Sequence, residues 1–195
     1  MTLWDYPEGA TLLDPDEAEG LIPEHITRHQ ELDEWEQRNI IDAIFWLQKT
    51  RPTDIINETF IRKLHQKMFS RVWRWAGTFR TTDKNIGGEW FQIVPRLKNL
   101  CDDTRLWIAS DTDSPDEIAI RFHHRLVQIH PFPNGNGRHA RLLTDLLLEN
   151  LLNRPKFTWG SGNLTSAGET RERYISSLQA ADNHDYQPLL TFARS

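Results

Sequence analysis

Two stretches of helical periodicity flank residues 130–141, His-Pro-Phe-Pro-Asn-Gly-Asn-Gly-Arg-His-Ala-Arg, and this junction constrains the fold more than any other segment. Before it, Ile118, Phe122, Leu126 and Ile129 recur at helical spacing and mark one buried stripe. That helix has a defined start, with Ser114 at N-cap, Pro115 at N1 and Glu117 at N3, which together make a capping box. After the junction, residues 141–152 are apolar nearly all round, which predicts a helix at the centre of the domain. Pro131 and Pro133 stiffen the connection, and Phe132 is expected to anchor it by burial. A polar, glycine-bearing loop between two interior helices calls for a chemical explanation.

The rest of the chain supplies the frame. Residues 1–30 are rich in Pro, Asp, Glu and Gly and read as an arm, with a short helix near Pro15 to Glu19; residues 31–195 read as one domain. From Leu32 to Lys49, Ile40, Ile44 and Leu47 share a helix face, and Pro52 ends the run. Residues 54–69 resume the period with Phe60, Leu64 and Met68. The segment Trp75 to Pro95 places aromatic and β-branched residues around a polar, glycine-bearing centre, which predicts a β-hairpin. Helical pattern returns over 96–110, with Leu97, Cys101 and Ile108 inward, and closes the chain over about 165–181 and 185–193. The expected fold is therefore all-α, with a central apolar helix and one hairpin flap.

Bulk properties narrow the function. The net charge of −5 includes no basic stripe, so direct nucleic-acid binding is not expected. Cys101 is the one cysteine, which excludes a disulfide framework or a multi-cysteine metal site. No signal segment and no run of about 20 apolar residues is present, so the expectation is a cytoplasmic protein with no membrane partner. His123 and His124 lack the spacing of a zinc protease site and read as packing or surface residues. Trp73, Trp75 and Trp90 read as core and flap support.

The junction itself favours a phosphate. A helix N-terminus carries unpaired N–H groups and about half a positive charge, which makes an anion site. Gly135 and Gly137 allow close backbone approach, and Asn136 is expected to add a side-chain donor. Arg138 and Arg141 are three apart and share a helix face, and guanidinium groups grip phosphate with paired hydrogen bonds. His130, at the other lip, can accept a proton near neutral pH.

These residues resemble the Fic family signature, His-Pro-Phe-x-acid-Gly-Asn-Gly-Arg-x-x-Arg, at every specified position but one. Residues 64–80 are similar to the segment leading into the family's flap, and 171–192 to its closing helices. The opening residues, with Glu31 to Ile40, resemble short Fic proteins called mobile mystery protein B. The resemblance implies transfer of AMP from ATP to a Ser, Thr or Tyr hydroxyl of a target protein. It implies His130 as general base, Gly135, Asn136 and Gly137 as the anion hole, and Arg138 and Arg141 on the outer phosphates. It further implies a target docked by strand addition on the hairpin at about 78–94. The departing position is Asn134, where the family has Asp or Glu to hold Mg²⁺; an amide ligates Mg²⁺ without formal charge.

The resemblance also implies a self-inhibitory helix or an antitoxin-like partner. Thr27 to Glu31 and Thr165 to Glu169 fit the Ser/Thr-x-x-x-Glu spacing, and Glu36 is a third candidate. The expectation is that Glu36 or Glu31 reaches Arg141. Two alternatives stay open: transfer of another group (UMP, phosphocholine, or a kinase-like reversal), and a nucleotide-binding regulatory module of the toxin–antitoxin kind with weak catalysis.

Overall fold

A computed structural model describes residues 12–23, 25–26, 28–110, 112–162, 164 and 168–195. The helices are α1 Pro15–Ala18, α2 His29–Thr50, α3 Glu58–Phe69, α4 Ile93–Ser110, α5 Pro115–Ile129, α6 Asn136–Asn150, α7 Glu169–Asp182 and α8 Gln187–Arg194. The capping box at Ser114 is formed, and Asn57 caps α3 by accepting from the Phe60 N–H at 2.8 Å. Arg51 ends α2 in the left-handed conformation just ahead of Pro52.

The hydrophobic core explains why α6 is the central helix. Leu143 and Leu147 pack with Phe60, Leu64, Leu97 and Leu126, drawn from α3, α4 and α5. Leu148, on another face of α6, packs instead with Phe157, Tyr174, Leu189 and Phe192 under α7 and α8. A helix buried on several faces needs the apolar circumference that residues 141–152 display.

The expected hairpin is not formed. Among the described residues there is no strand, only an isolated bridge between Leu21 and Trp73. Residues 78–89 form an irregular loop that passes into a 3₁₀ turn, Trp90–Gln92. Side chains satisfy this loop in place of a cross-strand ladder. Arg80 donates to the Thr82 carbonyl at 2.7 Å and to that of Gly88. The Trp90 N–H donates to Asp83 Oδ1 at 2.8 Å. The arm completes the support: Asp14 Oδ2 accepts from Thr82 Oγ1 at 2.7 Å and from Lys84 Nζ at 2.8 Å, and Lys84 also bonds Glu17. A lone hairpin has little intrinsic stability, so these bonds decide the conformation.

Candidate active site

The junction is held by three side chains that are themselves buried. Phe132 is fully buried and its ring stacks on His65 at 3.7 Å. Asn136 clamps the Phe132 backbone, donating from Nδ2 to its carbonyl at 2.7 Å and accepting its N–H on Oδ1 at 2.9 Å. His65 accepts the Gly77 N–H on Nδ1 at 3.0 Å, so its proton lies on Nε2 and donates to the Asn134 carbonyl at 3.0 Å. The expected ligand-facing amide of Asn136 is thus turned inward, because a buried loop must pair its own backbone before it can offer donors outward. What Asn136 can offer an anion is its backbone N–H.

Gly135 sits at the N-cap of α6 with φ 77, and a Cβ there would stand 2.6 Å from Phe69 Cζ. Only glycine fits both the left-handed backbone and that contact. The helix then begins at Asn136, so the N–H groups of Asn136, Gly137 and Arg138 have no acceptor within the helix.

The two arginines are placed differently. Arg138 Nη1 pairs with Glu36 Oε2 at 2.6 Å, and its guanidinium lies 5.1 Å from the Phe69 ring centroid. Glu36, from α2, is buried, and its Oε1 accepts from Trp73 Nε1 at 2.6 Å. The expectation that Glu36 or Glu31 reaches Arg141 is therefore corrected: Glu36 holds Arg138. The direction of Glu36 from α2 is set by Trp73, and this brings it to the first of the two arginines. Arg141 lies over Tyr174, 5.4 Å from the ring centroid, and within hydrogen-bonding reach of its side chain. Burial pushes the Arg141 guanidinium below its usual range; Tyr174 opposes this and Arg138 adds to it. Glu31 is half-buried, and Glu169 is exposed at the start of α7. Thr27 and Thr165, which completed the spacing for those two, lie outside the described residues.

Behind Arg141 runs a directed hydrogen-bond chain. Thr144 Oγ1 donates to the Ala140 carbonyl at 2.8 Å and so accepts from His123 Nδ1 at 3.3 Å. His123 Nε2 then accepts from the Tyr174 hydroxyl at 2.9 Å. His123 and His124 are both packing residues, the latter bonding Asp182 at 2.8 Å.

His130 closes α5 in the left-handed conformation, φ 53 and ψ 61. A non-glycine residue there carries a strain of about 1–2 kcal/mol. The ring is buried, and Nδ1 lies 3.3 Å from the Val127 carbonyl. A carbonyl accepts only, so Nδ1 carries the proton and the Nε2 lone pair is basic. Burial lowers the His130 pKa to about 4; the Val127 carbonyl opposes this, and Arg80 and Lys84 add to it. The imidazole is therefore neutral throughout the neutral range.

The buried histidines give the fold a pH signature. Burial lowers His130 and His139 to about 4, His123 to about 3, and His65 well below its usual value. The unfolded chain titrates its histidines near 6.5 and so binds more protons between that value and pH 4. Stability is complete above pH 6.5 and is lost as pH falls through that window. For His123, His130 and His139 this corresponds to about 3–5 kcal/mol each at the acid end. Asp145, raised to about 6 by burial, acts oppositely and offsets one such contribution. Thermal unfolding followed by circular dichroism should show Tm falling by about 10 °C or more between pH 6.5 and 5. A flat profile over that interval would contradict the burial of these rings.

The Mg²⁺ that the sequence resemblance implies finds no protein cage. Asn134 Oδ1 is turned back onto the Gly135 N–H at 2.6 Å. Among the described residues, no group of three His, Cys, Asp or Glu side chains could hold a metal. The donors present do not fit a dedicated Mg²⁺ site, and no catalytic step is assigned to the ion.

Sequence reasoning missed His65, Trp73 and Arg80 as organisers of the site. Each belongs to residues 64–80, far from the signature in sequence. Nothing local marked them, since each has a polar neighbour, Gln66, Arg74 or Thr81, and their partners lie far along the chain.

The geometry describes a helical domain whose junction sets a buried imidazole at the end of α5 and two arginines in the first turns of α6. Residues 55–148 match the model of the Fic/DOC family. The chain is 32% identical over 125 residues to the protein adenylyltransferase fic-1 of Caenorhabditis elegans, covering 60% of this chain and 22% of that protein. The solved structure of residues 134–508 of the same protein aligns with a TM-score of 0.67 at 26% identity, over 91% of this chain and 51% of that one. The N-terminal Fic domain of a VirB-translocated Bep effector from Bartonella quintana, with bound ADP, aligns with a TM-score of 0.68 at 18% identity, over 88% and 86%. Residues 55–148 therefore match the Fic/DOC family, and the fold around them is similar to that of solved Fic domains. The chain spans about a fifth of the length of the curated relatives it matches.

Proposed function

We propose that this chain is a protein adenylyltransferase that moves AMP from ATP to a Ser, Thr or Tyr hydroxyl of a target protein. One observation carries the reading: a neutral, buried imidazole with its lone pair on Nε2 stands at the lip of a helix N-terminus whose first turns bear Arg138 and Arg141. His130 takes the proton of the target hydroxyl. The hydroxyl oxygen bonds to the α-phosphorus as the bond to the bridging oxygen breaks, and pyrophosphate leaves. The N–H groups of Asn136, Gly137 and Arg138, with Arg138 and Arg141, neutralise the phosphate charge; positioning and charge do most of the work in such transfers. The bound ADP of the Bartonella domain supports a nucleotide as a ligand of this fold. Any Mg²⁺ arrives on the phosphates of ATP. The target docks on the segment 78–94, chiefly along its loop portion, residues 78–89. The arm resembling the mobile mystery protein B group precedes the catalytic domain over residues 1–30.

Glu36 is the self-inhibitory residue in this reading. Its carboxylate occupies Arg138, one of the groups the phosphates need. That occupancy also favours a second reading, a nucleotide-binding regulatory module whose transfer is weak. Incubation with ATP labelled at the α- or the γ-phosphate separates the two. α-Label on protein is expected; γ-label alone would indicate phosphorylation, and binding without transfer would indicate the module.

A further inference from the structure

Arg80 is an arginine whose side chain is wholly buried, with its nearest carboxylate, Asp83, 3.7 Å away on the surface side. Its fork is spent on main-chain carbonyls. Nε donates to the His130 carbonyl at 2.6 Å, Nη1 to Thr82 at 2.7 Å, and Nη2 to Gly88 and, at 3.4 Å, to Ile129. Its own N–H donates to the Pro131 carbonyl at 3.0 Å. Ile129 carries one of the carbonyls that the end of α5 leaves without helical partners, and the carbonyls of His130 and Pro131 follow directly after it. One side chain thus caps α5 at the residue where His130 turns left-handed. The same side chain fastens loop 82–88 over it. Gly88 N–H donates to the Gln128 carbonyl at 3.2 Å, and a Cβ on Gly87 would overlap His130 Cβ.

We infer that Arg80 is the positioning residue of the reaction: it fixes the strained backbone of His130 and presses the 82–88 loop against that residue, so that the base keeps one orientation and one tautomer. The inference rests on the reading of His130 as the general base. The planar fork matters because its donors point along fixed, diverging directions. A lysine at this position keeps the charge and reaches fewer of the carbonyls. The charged groups facing this region are Arg80 and Lys84 from the loop, with Asp83, Asp14, Glu17 and Arg96 around them. The Arg80 charge lies close enough to disfavour protonation of the ring.

Arg80→Lys in the full chain is the test, read by α-label transfer and by calorimetry with ATP. kcat should fall about 30-fold or more while the ATP dissociation constant stays within about threefold, since an error near 1 Å in the base costs about 10²-fold in rate. Transfer within threefold of the parent overturns the inference, and so does an equal loss of ATP affinity and kcat. A second measurement needs no variant. In histidine-labelled parent protein, the His130 resonances, assigned by loss in His130→Ala, should show the Nδ1–H form and titrate near pH 4. A ring that titrates near 6.5, or shows the Nε2–H form, overturns it. Retention of transfer by His130→Ala would instead sink the general-base reading, so the two failures are distinguishable.

Discussion

Replacing His130 with alanine should lower α-label transfer by about 10²–10⁴-fold, the range a positioned general base contributes. ATP affinity should change little, because the phosphate donors lie across the junction on α6 and not on the imidazole. Stability should fall by about 1–3 kcal/mol, because the buried ring leaves a cavity and alanine keeps the same left-handed backbone. Alanine retains the N–H that donates to Leu126 at 3.2 Å. The pH dependence follows from the same burial. With the pKa near 4, the base is fully deprotonated above about pH 5, so kcat should show no acid limb between pH 6 and 8. A rate that falls below pH 7 with a midpoint near 6.5 would assign the base to a solvated histidine elsewhere.

The second large effect belongs to Glu36. Its Oε2 and an incoming phosphate compete for one guanidinium, and two anions cannot share it at low cost. Glu36→Gln keeps the size of the side chain and an acceptor for Trp73 Nε1, and removes the charge from Arg138. A hydrogen bond to a charged group contributes about 1.5–3 kcal/mol, so release of Arg138 should tighten ATP binding by about 10–100-fold and raise automodification similarly. The fold should lose about as much stability as the phosphate site gains, because a buried arrangement is opened. Tm should drop while the transfer rate climbs. Loss of both would mean that the pair is structural. The same substitution at Glu31 should leave ATP affinity unchanged.

Much of this site was legible in the sequence, for identifiable reasons. The α6 boundary could be read because glycine and asparagine precede a strongly apolar run. The α5 start could be read because Ser114, Pro115 and Glu117 each satisfy a local rule. The phosphate character of 134–141 came from residue chemistry within a short span. The flap was misread because Trp75, Thr78 and Phe79 carry strand propensity, whereas the conformation is set by the contacts of Arg80 with α5 and of Lys84 with Asp14 and Glu17. Those contacts span up to 70 residues and leave no local trace. Asn136 was misread for a similar reason: its amide could face outward or inward, and the choice depends on Phe132 being buried four residues earlier. The partner of Glu36 was misassigned because helix spacing places Arg138 and Arg141 on one face, and only packing against Trp73 selects between them.

The central claim is that the junction at 130–141 binds the phosphate chain of a nucleotide. Calorimetric titration of ATP, with Mg²⁺, into the Glu36→Gln protein tests it most directly. The account predicts a saturable heat at one site per chain, strongly reduced when Arg141 is also replaced by alanine. No heat in Glu36→Gln, or an undiminished heat without Arg141, would contradict it.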